Sequence, residues 1–380
     1  MMNQPESDSK KAIVKFETIC GRIFIRAVLI ILPLLLLDYI SPFLWFHRRS
    51  KIIRKFPVEV VRQPKPYVMF GGVRNGSIYN GEKLNNLGYR GTVPRIPKTS
   101  GEFRILMLGG STVVNGDPPI PVLLEEEFRR NGMDNVQVYN FGVVSSASSM
   151  ELARILFEIS ELQSDLIIMY NGGNDIFTPY KYDPRPGYPF NFIVYENNPI
   201  LESDVRSYPT FSLLLYSSNL ARCFLSRFFV NSFAPLEKER QKVGWGSDEW
   251  KDEIAQRYVS NLTKAKKISG VFGSQFIAFL QPMIDYKDHL STEEKNHRPD
   301  PEFEKHCVDV RDRILQKISV HSNESSPILI DLTDIYDETL TRVFIDKLHT
   351  TQESKTVVTK AIYEHVINNF IIEQETTHGN

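Results

Sequence analysis

Short apolar runs alternate with longer segments of helical periodicity over most of this chain. Five runs read as strands: Phe103 to Leu108, Val136 to Phe141, Asp165 to Tyr170, Gln275 to Leu280 and Pro327 to Leu332. Each is apolar at nearly every position, as expected of a strand covered on both faces. Between and after them lie Pro119 to Asn131, Ser148 to Leu162, Trp250 to Gly270, Pro301 to Val320 and Glu353 to Phe370, whose apolar positions recur at helical spacing. Strands and helices in alternation predict a parallel sheet with helices on both faces, a three-layer α/β/α sandwich.

The spacing breaks once. About a hundred residues separate the third and fourth strands, far more than an ordinary connection. The segment 176–249 reads as an insertion or lid. Its first part is dense in aromatic residues (Phe177, Tyr180, Tyr182, Tyr188, Phe190, Phe192 and Tyr195), which argues against disorder. Such rings stack on sugars, line an acyl tunnel or pack a lid onto the sheet. Tyr180, Tyr182, Tyr188 and Phe190 are the substrate-binding candidates.

A different pattern governs the start. After a polar tail, 1–26, the uncharged run from Ala27 to Leu37 continues past Asp38 to Phe46. That length suits one bilayer-spanning helix, flanked by Arg22 and Arg26 on one side and by basic residues from His47 to Lys55 on the other. A single-pass anchor over 27–46 is therefore expected, with 47–100 as linker and lead-in and 101–372 as the main domain. Basic residues on both sides leave the orientation open; an extracytoplasmic domain is the expectation. Within the lead-in, Asn85-Asn-Leu-Gly-Tyr-Arg-Gly91 has the composition of a turn.

Composition narrows the function classes. A formal net charge of -1 over 380 residues gives no reason to expect a nucleic-acid partner. Cys20, Cys223 and Cys307 are too few and too scattered for a disulfide framework or a cysteine metal site. The first strand–helix turn lacks the glycine spacing of a nucleotide-phosphate loop.

The chemistry-bearing residues sit at strand ends. Gly109-Gly-Ser111 follows the first strand and puts a hydroxyl at the carboxyl edge of the sheet, where open α/β sheets bind ligands. Asp346-Lys-Leu-His349 follows the fifth, and its spacing lets the carboxylate fold back on its own histidine. Ser111 is the candidate nucleophile, His349 its base and Asp346 the group that orients the base. Gly142 after the second strand, Asn174 after the third and the Ser111 amide are candidate oxyanion donors. Each piece alone is a common turn or cap; their convergence at one sheet edge is not. His289, His297 and His306 lie among charged residues and are expected to be solvated.

The set resembles the SGNH (GDSL-type) hydrolases. Gly109-Gly-Ser111, Asn140-Phe-Gly142, Gly172-Gly-Asn174-Asp175 and Asp346-Lys-Leu-His349 match that family's four blocks. Gly110 stands where the name-giving motif has aspartate, a change that bears on subgroup rather than on the triad. The resemblance covers about residues 85 to 370 and extends to the lead-in of members with a Gly-Gly-Ser-Thr first block. It implies a flavodoxin-like sheet and cofactor-free, metal-free acyl-ester chemistry through an acyl-enzyme. Removal of a small acyl group, such as acetyl, from a carbohydrate or related ester is the expectation. Acyl transfer to a glycan, a lipid esterase or lysophospholipase activity, and a non-catalytic membrane-tethered binding protein are the alternatives.

Overall fold

The computed structural model describes residues 21–22, 25–40, 62–77, 82–190, 192–196, 218, 236–298, 300–320 and 327–370. The chain divides into two compact units, one of residues 1–58 and 193–235 and one of 59–192 and 236–380.

In the larger unit, the antiparallel ribbon β1 (Arg62–Lys65) and β2 (Met69–Gly72) precedes five parallel strands: β3 (Phe103–Gly109), β4 (Val136–Gly142), β5 (Leu166–Asn171), β6 (Gln275–Leu280) and β7 (Leu329–Asp331). The sheet order is β4-β3-β5-β6-β7. The chain starts in the middle, moves outward one way, then returns to build the other side, so β4 and β5 flank β3 and their carboxyl ends bracket its own. Gly109 at the end of β3 is in register with Gly142 of β4 and Tyr170 of β5.

Helices α1 (Ser111–Val114), α2 (Ile120–Arg130), α3 (Ser148–Arg154), α4 (Gly173–Lys181), α5 (Leu236–Val243), α6 (Asp248–Val271), α7 (Pro301–Ser319) and α8 (Gln352–Asn369) complete the unit. Successive strand side chains alternate between faces. Leu106, Leu108, Ile167 and Met169 pack with Ile254, Tyr258 and Leu262 of α6 and Val310 and Ile314 of α7. Ile105, Met107, Leu166 and Ile168 pack with Leu124 and Phe128 of α2 and Val358, Ile362 and Val366 of α8. These two cores make the three layers, and the strand runs are mostly apolar because both faces are covered. The helix expected over Ser148 to Leu162 starts as α3, then widens to a π-turn at Ile155–Ile159 and ends in a 3-10 turn.

The N-terminal expectation is overturned. Among the described residues, no helix is long and apolar enough to cross a membrane. Residues 21–22 and 25–40 are helical, and the apolar run lies in the second stretch. Asp38 interrupts its apolar character and accepts a hydrogen bond from Ser218 Oγ at 2.6 Å. Residues 41–46 of the expected anchor lie outside the described residues. The transmembrane helix, the single-pass membrane placement and the membrane partner expected with them are not supported.

Candidate active site

The site is assembled from four strand ends. β3 runs into Gly110 and then α1, which places Ser111 at the first position of a helix one turn long. Its hydroxyl lies 2.7 Å from His349 Nε2. His349 Nδ1 lies 2.7 Å from Asp346 Oδ2, while Asp346 Oδ1 accepts the amides of His349 at 2.8 Å and Leu348 at 2.9 Å. The three-residue spacing thus closes as a turn on the aspartate, which holds both the backbone and the ring of the histidine. Partial burial alone would raise the Asp346 pKa, but the ring and amide hydrogen bonds outweigh it and hold the carboxyl at about 2. The aspartate is a carboxylate at any ordinary pH. Its acceptor role gives Nδ1 the proton and leaves Nε2 to accept from Ser111.

Asn174, the second residue of α4, donates one side-chain N–H to Ser146 O at 2.7 Å, and its amide nitrogen has a second hydrogen to offer. A Cβ placed on Gly110 would fall 2.5 Å from Asn174 Nδ2. The missing side chain at Gly110 lets Asn174 Nδ2 lie this close to the residue before Ser111. Ser111 N–H has no backbone acceptor among the described residues. Gly142 ends β4 beside α1. Its N–H donates to Asn140 Oδ1 at 3.0 Å, and a Cβ there would meet Val113 and Val114. Gly142 packs against the helix that carries Ser111, and Asn140 ties the two together through Nδ2 to Val113 O at 3.3 Å.

Beneath the site lies a buried polar cluster. Asp175 accepts the Ser148 amide at 3.1 Å and its hydroxyl at 2.5 Å. Glu151 accepts from Asn171, whose carbonyl oxygen accepts from Tyr258. Burial pushes Asp175 up to about 6 despite the Ser148 hydrogen bonds. Burial, reinforced by the neighbouring Asp175, pushes Glu151 up to about 7. Asn174 to Ser146 and Asp175 to Ser148 are two adjacent clamps between the α4 start and the 143–148 loop.

The aromatic candidates lie elsewhere. Tyr180 is buried, in ring contact with Trp245, Phe303 and His306. Tyr182 packs on Phe190 and Tyr188 on the Arg185 guanidinium. None of the four lines the cavity of about 490 Å³ that His349 borders. His306 is not solvated: it is buried on the inner face of α7, with Nε2 3.0 Å from Ile176 O, and burial lowers its pKa to about 4.

Several supporting residues carried no signal before the structure. Arg90, from the Asn85–Gly91 turn, donates to Val114 O at 2.8 Å and Gly116 O at 2.5 Å. Lys355 Nζ donates to Asn115 O at 3.0 Å. Thr112 Oγ1 donates to Gln281 Oε1 at 3.2 Å. Arg90 could have been suspected from its place in the turn motif; Lys355 reads as an ordinary helix-surface lysine. Among the described residues, no group of three or more His, Cys, Asp or Glu could hold a metal ion.

No protein-family model matches the chain, and no curated protein matches it. Solved structures do. A lipase from a goat rumen metagenome aligns at 13% identity over 71% of this chain and 100% of its own, with a TM-score of 0.41. A catalytic mutant of an acetylxylan esterase from Geobacillus stearothermophilus aligns at 10% identity over 72% and 96%, TM-score 0.41. A GDSL-like lipase from Bacteroides thetaiotaomicron aligns at 10% identity over 71% and 90%, TM-score 0.37.

Proposed function

We propose that this chain is a serine-dependent ester hydrolase of the SGNH kind that releases a small acyl group, such as acetyl, from a carbohydrate or related alcohol. The observation that carries this is the line Ser111 Oγ, His349 and Asp346, joined by two contacts of 2.7 Å each. In the first half-reaction His349 Nε2 takes the Ser111 proton as Oγ bonds to the ester carbonyl carbon. The oxyanion forms against Asn174 Nδ2 and the Ser111 amide. As the tetrahedral intermediate collapses, the carbon–oxygen bond to the alcohol breaks and His349 returns the proton to the departing oxygen. Water then attacks the acyl-enzyme by the same route, releasing the acid and restoring Ser111.

The test is turnover of p-nitrophenyl acetate by the full chain beside Ser111→Ala, with intact-mass detection of one acetyl group on the quenched wild type. Serine-dependent turnover and an acetylated wild type are expected. Equal turnover by both proteins would remove Ser111 as nucleophile.

A further inference from the structure

The cavity beside His349 has an uneven charge. It is lined by Thr112, Asn115, Ile120, Leu348, His349 and Lys355 among others, and no aspartate or glutamate lines it. Lys355 is only 7% exposed and forms no ion pair among the described residues; its one hydrogen-bond partner is the carbonyl of Asn115. The nearby Arg90 is neutralised by Glu82, so Lys355 is a cation uncompensated among the described residues. Burial and the Arg90 charge both lower its pKa, and it sits in the first turn of α8, where the helix dipole also disfavours a positive charge. A buried ammonium is costly unless paired, and an anion delivered by a ligand would pair it.

The position of the cavity says which part of a substrate enters it. His349 Nε2 must return its proton to the departing oxygen, so the alcohol lies on the His349 side. The carbonyl oxygen faces Asn174, which does not line the cavity. Resting on the hydrolase reading above, we propose that the alcohol portion of the ester carries an oxyanionic group, a carboxylate or a phosphate, held by Lys355. Lys355 thereby becomes a specificity-determining residue, and the preferred substrate is an acyl ester of an acidic alcohol.

Three acetyl esters of matched shape test this: 4-acetoxybenzoate, 4-acetoxyphenyl phosphate and the neutral 4-acetoxybenzamide. Each kcat/KM is normalised to the ester's own hydroxide-catalysed rate. For the wild type, at least one anionic ester should exceed the neutral one by about tenfold or more, and which one does so separates carboxylate from phosphate. The preference should weaken as salt screens the pair. In Lys355→Gln, which keeps a donor for Asn115 O, the anionic-to-neutral ratio should fall towards one, and Lys355→Arg should retain it. A wild-type ratio near one, or an unchanged ratio in Lys355→Gln, overturns the anion assignment and leaves the hydrolase reading standing. No turnover of the neutral ester or of either anionic one overturns both. The wild-type ratio and its salt dependence decide the matter even if the Gln variant does not fold.

Discussion

The chemistry turns on a few side chains whose effects differ in kind. Ser111→Ala and His349→Ala each remove a reacting group and should abolish ester turnover while the melting temperature stays near that of the wild type. Asn174→Ala removes one preorganised donor; a loss of about 3 kcal/mol of transition-state stabilisation corresponds to a fall in kcat of roughly a hundredfold, with residual activity from the Ser111 amide. Gly110→Ala is more diagnostic. The new Cβ would fall 2.5 Å from Asn174 Nδ2, so the amide must move. A kcat fall approaching that of Asn174→Ala, with little change in KM, is expected from steady-state kinetics, and wild-type kcat would show that Asn174 acts from another position. At this level much could be read from the sequence, because Ser111, Asn174, Asp346 and His349 each stand where a strand ends. The acceptor that the Gly142 amide meets could not, because it is the side chain of Asn140 in the same strand, and a backbone donor's partner leaves no mark on a residue pattern.

Elements hold these residues in place through buried polar contacts. α4 and the 143–148 loop are joined by the Asn174 and Asp175 clamps, and α3 brings Glu151 beneath them. Glu151 and Asp175 have folded pKa values raised to about 7 and about 6. At these two sites the folded state therefore binds more protons than the unfolded chain between those values and about 4, so their contribution to stability falls as pH rises through this window, while His306, lowered to about 4, contributes in the opposite sense. Melting temperatures from pH 4.5 to 7.5 should show that decline, and Glu151→Gln should flatten it; an unchanged slope in the variant would mean that other groups set it. Element existence was readable from periodicity: β6 coincides with the apolar run that predicts it, and α7 differs by one residue at its end. Within the aromatic segment the fates of the rings differ: Tyr180 packs on Phe303 and Trp245, residues distant in sequence, and serves the core, whereas Tyr182 and Tyr188 stay exposed. His306 misleads, since charged neighbours on a helix say nothing of the face that carries it.

For the larger unit as a whole, the two cores on either side of the sheet set the stability that the site draws on. Phe128 is fully buried and meets the Tyr363 ring at a centroid distance of 5.0 Å, joining α2 to α8 across the Ile105–Met107 face. Phe128→Ala should cost about 3–5 kcal/mol, read as a lower urea midpoint at unchanged m-value. Because α8 follows directly on the His349 loop, the same variant tests whether that face supports the triad; kcat at temperatures below its melting point should be little changed if it supplies stability alone.

The period and content of apolar runs suffice to set five strands, their helical connections and the two-sided burial of the sheet, since these depend on neighbours a few residues apart. The spacing of Asp346 and His349 likewise suffices for their mutual contact, because a turn of that size closes locally. Folding decides what distance along the chain conceals. The approach of Ser111 to His349 spans 238 positions and that of Lys355 to Asn115 spans 240, and no local pattern encodes either. The N-terminal segment shows the same limit: apolar content suggested a span, whereas no helix among the described residues is long and apolar enough to cross a bilayer.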